Sequence, residues 1–470
     1  MSERLETDVL VLGGGPGGNA AAFRAADLGK RVVIVEDQPS LGGVCLHVGC
    51  IPSKTLLHVA EVIQEAGSLG KAGIRFTAPD IDLEKLSSHR QQIIDTLSGG
   101  LKKLVKARKI SVLHGLGRFI DASTVEVKGS EGTVQVTFAH AVIAVGSRPI
   151  DLPDLPEDHP GIWDSTDALA LKSVPGKLLV IGGGIIGLEM AEVYHALGSE
   201  ITVVEMMDQI IPGADADLVR PLATTIRKKY AGVYTNTRVV RTEPQGSQLE
   251  VTLEGKKAPA SATVDAVLVA VGRRANGDRI DAANAGITVD ERGTIPVDGF
   301  LRTSVPTIYA VGDVTGNPML AHRASFQGKI AAEVIAGLPS SYDPMTVPYV
   351  AYTSPEVAWM GLTEREAAER GVAYRKGSIP WQVSGRALSS GRQAGVTKVL
   401  FEKETGRIIG AGICGYQAGE LLAEAVLALE MGAAAEDIAK TIHAHPTLSE
   451  TFMLAAEQVE GTITDMLPGN

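Results

Sequence analysis

The stretch GGGPGG, Gly13–Gly18, follows a short apolar run (DVLVLG) and opens an Ala-rich segment. A second apolar run, RVVIVE, then ends at Glu36. The pattern is strand, glycine turn, helix, strand, acid. The same pattern returns 169 residues later in KLLVIGGGIIGLEMAEVYHALGSEITVVE. Gly13, Gly15, Gly18 and Glu36 map at that constant offset onto Gly182, Gly184, Gly187 and Glu205, and Leu28-Gly29 maps onto Leu197-Gly198. A lone GxGxxG is weak evidence; an aligned duplicate in matching context is not.

Each unit has the composition of a dinucleotide site. The glycines let the backbone approach a pyrophosphate, and the following helix N-terminus adds partial positive charge. Each acid stands where a carboxylate can hold a ribose hydroxyl. Glu205 would repel a 2′-phosphate, and no Arg follows it closely (EMMDQ), which favours NAD over NADP. Two such sites point to FAD plus a nicotinamide. The run TIYAVGD ends at Asp313, a carboxylate suited to a flavin's ribityl hydroxyl. Two AVG turns, Ile143–Pro149 and Val269–Asn276, read as strand ends returning into each domain.

Composition narrows the partners. A net charge of −11 with no prominent basic run argues against nucleic acid, and aromatics at 4% disfavour base-stacking surfaces. No apolar run approaches the roughly 18 residues of a membrane span. The start MSERLETDVLVLGGG lacks a secretory pattern, and the chain has three cysteines. The expected location is the cytoplasm, where a disulfide is more often catalytic than structural.

Two of the cysteines, Cys45 and Cys50, lie in GGVCLHVGCIPSK. Five residues of regular helix separate side chains by about 140° and about 7.5 Å along the axis. A disulfide there requires a distorted helix, which Gly49 permits, and such a bond is open to exchange. The pair reads as reducible. Zinc is disfavoured: His47 and His58 are the only nearby partners and no second metal-type spacing exists, so no metal is expected.

These motifs, with AVGDVTGNPMLAH, YTSPEVAWMGLTE and HAHPTLSE in that order, give an end-to-end resemblance to the flavoprotein disulfide reductases. The closest likeness is to members that oxidise dihydrolipoyl groups with NAD. The implied fold is α/β: two Rossmann-like dinucleotide-binding domains, for FAD and NAD, plus a C-terminal α+β dimerisation domain. The implied division is FAD domain 1–150, NAD domain 151–280, a second FAD-binding part 281–348, and interface domain 349–470, with Pro149–Pro160 and the stretch before YTSPEV as linkers.

The resemblance also implies residue roles. Cys45 is the interchange thiol, and Cys50 lies against the flavin. Lys54 approaches the flavin and pairs with Glu189, in an otherwise apolar helix. His445 is the base, oriented by Glu450 and reaching the cysteines of the other subunit of a homodimer. His443 is left structural. Further cofactor contacts fall at Gly43, Gly117, Gly146, Ala321, Val239 and Gly272. Met206 and Met207 are expected to pack near the NAD adenosine, and Cys414 to pack as a small apolar residue. Implied partners are lipoyl-bearing acyltransferase subunits of 2-oxo acid dehydrogenase complexes or the glycine-cleavage lipoyl protein.

Within the family, a glutathione-reductase-like enzyme would want arginines near Glu205 and a Tyr at Ile186. A mercuric reductase would end in a cysteine pair, and a transhydrogenase could lack the full redox pair. A purely structural subunit would need neither Cys45–Cys50 nor His445. Ala275, Asn19 and the first AVG turn depart from the family pattern at cofactor edges.

Overall fold

The computed structural model describes residues 3–130, 132–153, 155–156 and 159–467. The extreme ends of the first and last expected domains, and part of the Pro149–Pro160 linker, lie outside the described residues.

The first glycine unit belongs to a seven-stranded sheet. Its parallel part runs Ser111–His114, Val32–Glu36, Glu3–Leu12, Gly132–Ile143, and then the returning strand Ile308–Ala310. Val32–Glu36 is buried at every residue, as a strand covered on both faces must be. An antiparallel meander, Leu116–Asp121 and Thr124–Gly129, extends the sheet from the N-terminal half of Gly132–Ile143. Helix Pro16–Asp27 packs against Ala321–Ile335 with Gly17 and Gly328 at the contact, small residues that let the backbones close up.

The second unit forms a five-stranded parallel sheet in the order Gly232–Tyr234, Glu200–Val204, Lys177–Ile181, Ala266–Val269, Ile162–Trp163. A three-stranded antiparallel sheet, residues 238–264, covers one side. The third unit is a five-stranded antiparallel sheet spanning Tyr349 to Gly415, backed by helices Ala418–Glu430 and Glu450–Glu460 around Trp381, Phe401 and Phe452.

The two AVG turns do more than return into their own domains. Ser147–Pro149 and Arg273–Ala275 pair antiparallel with each other, so the exits of the two dinucleotide sheets are joined. Among the described residues no helix is long and apolar enough to cross a membrane.

The junction of the second and third units carries a buried ion cluster. Lys398, 3% exposed, donates to Asp215 (2.7 Å), Asp217 (2.6 Å) and Glu364 (2.9 Å). Those carboxylates are the sole grouping of three metal-ligand side chains among the described residues, and the Lys398 ammonium already serves them.

Candidate active site

A cleft of about 2000 Å³ runs between the first two units and reaches the third. That is about twice the upper end of ordinary small-molecule pockets and suits two dinucleotides. Both glycine turns open onto it. Gly13 and Gly182 hold φ of +100° and +108°, and a Cβ on either would collide with the carbonyl of Ala144 or Ala270 on the neighbouring strand. Gly18 and Gly187 do not line the cleft. A Cβ there would strike the Gly13 or Gly182 carbonyl oxygen, so the lack of a side chain at these two positions is what lets the helix pack on the turn.

The acids repeat the symmetry of the turns. Glu36 accepts from the Gly14 amide (2.7 Å) and the Gln38 amide (3.0 Å); Glu205 accepts from Gly183 (2.7 Å) and Met207 (2.7 Å). Each carboxylate therefore braces its own glycine turn and still borders the cleft. Burial pushes the Glu36 carboxyl up to about 7 despite both amides. Met206 and Met207, 70% and 49% exposed, stand at the cleft edge beside Glu205. Arg238 lines the same end but its guanidinium pairs with Glu254 at 2.7 Å.

The cysteines sit where one helix ends and another begins. Gly43–Val48 and Cys50–Ser68 are separate helices broken at Gly49, whose φ of −145° and ψ of −114° lie outside the helical region. The break brings the thiols together, and Cys45 donates a hydrogen bond to Cys50. The pair is strongly asymmetric. Cys50 falls to about 7, through the Cys45 bond first and with help from Lys54, against the opposing effect of burial. The Cys45 thiol is pushed far up, by its bond to Cys50 and by burial. His47 is bound to the Leu41 carbonyl (3.0 Å) and His58 is exposed, so neither completes a metal set with the thiols. Cys414 is fully buried in the core, its thiol raised to about 12 by burial.

Lys54 lies four residues beyond Cys50 and donates to Glu189 at 2.9 and 3.1 Å. Sequence reasoning missed the third member of this group. The Tyr352 amide donates to Glu189 (3.1 Å), and the Tyr352 ring lies 4.4 Å from the Lys54 ammonium. The helix carrying Glu189 is not otherwise apolar either. Glu192 is 2% exposed and accepts from Gln64 (2.6 Å), Lys229 (3.2 Å) and Tyr230 (3.1 Å).

Gly15, Gly43, Gly117, Gly146, Gly184, Val239, Gly272, Asp313 and Ala321 all border the cleft. Ala321 begins the helix Ala321–Ile335, whose first amides are free of intrahelical partners. A Cβ on Gly146 or Gly184 would meet nothing within 4 Å, so open space lies beside both. Glycine turns that border the cleft, the carboxylates that brace them and the free amides of a helix N-terminus make a lining that fits FAD on one side and NAD on the other.

His445 and Glu450 form a dyad at 2.8 Å through Nδ1, and Glu450 also accepts from the Thr447 amide (2.7 Å). The His445 side chain is 79% exposed and lies off the cleft wall of its own chain. His443 is 5% exposed and tied to Glu424 (2.8 Å) and the Thr441 carbonyl (2.8 Å).

Residues 7–328 match the pyridine nucleotide-disulphide oxidoreductase model, and residues 347–456 match the dimerisation domain of the same group. The dihydrolipoyl dehydrogenase of Vibrio cholerae is 54% identical over 99% of this chain and 98% of its own length. Those of Haemophilus influenzae and Bacillus subtilis are 52% and 41% identical over 99% and 97% of this chain, and 98% and 97% of their own. Among solved structures, LpdA of Mycobacterium tuberculosis has a TM-score of 0.88 at 25% identity, covering 97% of this chain and 99% of that one. The flavoprotein disulfide reductase RclA of Escherichia coli has a TM-score of 0.86 at 26% identity, covering 99% of this chain and 100% of that one. Two braced glycine turns, one broken-helix dithiol and these end-to-end matches agree: the chain belongs to the pyridine nucleotide-disulphide oxidoreductase family.

Proposed function

We propose that the protein is a dihydrolipoyl dehydrogenase, moving an electron pair from a protein-bound dihydrolipoyl group to NAD. The observation that carries the chemistry is the placement of the dithiol: Cys45 and Cys50 meet across the helix break at Gly49, with Lys54 one turn beyond Cys50, so that Cys45 first and then Lys54 lower the Cys50 thiol while that of Cys45 is raised. The identity of the substrate is supported by relatives of 41–54% identity named for that activity.

In the oxidised pair, a substrate thiolate attacks Cys45 Sγ. The Cys45–Cys50 bond breaks and Cys50 leaves as thiolate. A low-pKa leaving group speeds exchange, which assigns attack to Cys45 rather than Cys50. The second substrate thiol loses its proton to His445 Nε2 and attacks the substrate sulfur of the mixed disulfide. Lipoyl disulfide departs, and Cys45 takes up a proton. Glu450 holds Nδ1 of the imidazole, leaving Nε2 for the proton and stabilising the cation that forms. FAD supplies the two-electron carrier between the thiols and NAD. Lys54, neutralised on one side by Glu189 and capped by Tyr352, holds positive charge beside the Cys50 thiolate.

Because His445 lies off its own cleft, the base reaches the thiols of the partner in a homodimer. Glu205, with no unpaired arginine beside it among the described residues, supports NAD over NADP. We assign the protein to the cytoplasm on its cysteine usage. Its docking partners are lipoyl-bearing acyltransferase subunits of 2-oxo acid dehydrogenase complexes or the glycine-cleavage lipoyl protein.

The test is anaerobic titration of the yellow holoprotein with dihydrolipoamide, read in the visible spectrum. A long-wavelength band absent in Cys50→Ser, and discharged by NAD but not NADP, is the expected result. A colourless protein refutes the flavin site; response only to NADPH with another disulfide refutes the substrate.

A further inference from the structure

Arg273 opens the short strand Arg273–Ala275 and reaches back across the pairing with Ser147–Pro149. Its Nε–H donates to Ser147 Oγ at 2.7 Å and its Nη2–H to the Ser147 carbonyl oxygen at 2.7 Å. The Ser147 hydroxyl donates in turn to Asp313 Oδ2 at 2.5 Å. A guanidinium can only donate and a carboxylate can only accept, so the hydroxyl between them has one orientation. Bonds aligned head to tail in this way polarise and strengthen one another. Ser147 is 4% exposed, so water does not compete for the link.

The three residues come from three separate parts of the chain. Ser147 leaves the first dinucleotide sheet, Arg273 leaves the second, and Asp313 follows the strand Ile308–Ala310. All three line the cleft. Arg273 is half-buried at the cleft wall, which opposes its charge, and the fields of Asp313, Asp164 and Cys50 partly offset that cost. Among the described residues, no carboxylate lies within ion-pair distance of its guanidinium, and no hydrogen bond satisfies Nη1. The guanidinium is thus tied to a serine rather than to a carboxylate, with Nη1 left over at the cleft. Asp313 Oδ1 likewise accepts no bond among the described residues.

We propose that Arg273 is a positioning residue that acts through Ser147 to hold Asp313 with Oδ1 presented to a polyol hydroxyl of bound FAD. The proposal rests on the reading of Asp313 as a ribityl contact. Without the relay the Asp313 carboxylate is free to rotate, and it loses the Ser147 hydroxyl that Arg273 polarises. With the relay, seating of the nicotinamide-side strand is coupled to the grip on the flavin.

The experiment is the rate at which holoprotein releases FAD on dilution into FAD-free buffer, followed by the rise in flavin fluorescence. One charge-assisted hydrogen bond corresponds to about tenfold to a hundredfold. Ser147→Ala and Asp313→Asn are each expected to speed release by that factor, and Arg273→Gln by about tenfold. The double variant Ser147→Ala/Arg273→Gln is expected to release no faster than Ser147→Ala, since the link is already cut. A role limited to tying the two short strands together predicts multiplied effects. That result, or an unchanged rate in Ser147→Ala, overturns the proposal.

If Asp313→Asn leaves release unchanged, the assignment of Asp313 to the flavin falls and takes the relay with it. If Asp313→Asn speeds release and Ser147→Ala does not, the flavin site stands and the relay alone is refuted. Two conservative variants guard against loss of folding. Ser147→Thr keeps the hydroxyl and is expected to release FAD at nearly the wild-type rate. Arg273→Lys keeps the charge without the fork, and its rate is expected between wild type and Arg273→Gln; a wild-type rate there counts against a role for the fork.

Discussion

Replacing Lys54 by Met removes a cation that stands beside both the Cys50 sulfur and the Glu189 carboxylate. Residues four apart on a helix have side chains about 6 Å apart, so the Coulomb energy at an effective dielectric near 20 is about 3 kcal/mol, roughly two pH units. The Lys54 side chain is 36% exposed, and solvent screening reduces this to about one unit. Cys50, held at about 7, is therefore expected near 8 in Lys54→Met. The thiolate fraction at pH 7 falls from about half to about a tenth. The assay is the pH dependence of iodoacetamide alkylation of the reduced protein, with the modified cysteine located by mass spectrometry. Cys45→Ala sets the scale, because the Cys45 bond is the larger cause and its loss is expected to shift the profile further than Lys54→Met does. Lys54→Met also strands Glu189, whose side chain is 4% exposed, with only the Tyr352 amide as donor. A cost of about 3 kcal/mol in stability is expected, most of it recovered in Lys54→Met/Glu189→Gln. A Lys54→Met profile that overlays the wild type, or one shifted beyond Cys45→Ala, refutes the account of how Cys50 is poised.

Three further outcomes follow from the geometry. Mixing Cys50→Ser subunits with His445→Gln subunits is expected to recover activity from two inactive homodimers, because one site of the mixed dimer pairs intact cysteines with an intact base; no recovery places the base on its own chain's cleft. Burial is the first cause raising the Glu356 carboxyl from its ordinary 4.5 to about 7, with Glu61, Glu420 and Glu189 adding to it against the Gly419 amide. A folded-state value raised in this way costs stability as pH climbs from 4.5 and costs it in full above 7. Glu356→Gln is therefore expected to stabilise the protein by about 2–3 kcal/mol at pH 8 and by little near pH 4.5, measured by urea unfolding; a gain independent of pH contradicts it. Lys398→Met leaves Asp215, Asp217 and Glu364 facing one another with only Lys376 nearby, and a loss of about 3–5 kcal/mol is expected in the same assay.

What could be read from the sequence is what repeats or stays local. The two glycine units were legible because their residues recur at one offset, and the dithiol because Cys45 and Cys50 fall five apart across a glycine that can break a helix. Pairings between distant single residues of ordinary type leave no such trace. Tyr352 reaches Glu189 across 163 positions and Arg273 reaches Ser147 across 126, with no periodicity to mark either. Ser147–Pro149 and Arg273–Ala275 are too short to show alternation, so their pairing with each other was invisible although both AVG turns were noticed. The acids make the same point from the other side. Sequence spacing marks Glu36 and Glu205 as ribose holders, yet each also accepts one amide of its glycine turn and one from two residues beyond itself, the two sites again 169 residues apart. The carboxylate that the spacing marks for a ribose thus also shapes the turn before any ligand arrives. Substituting it is therefore expected to loosen the glycine turn even in the ligand-free protein.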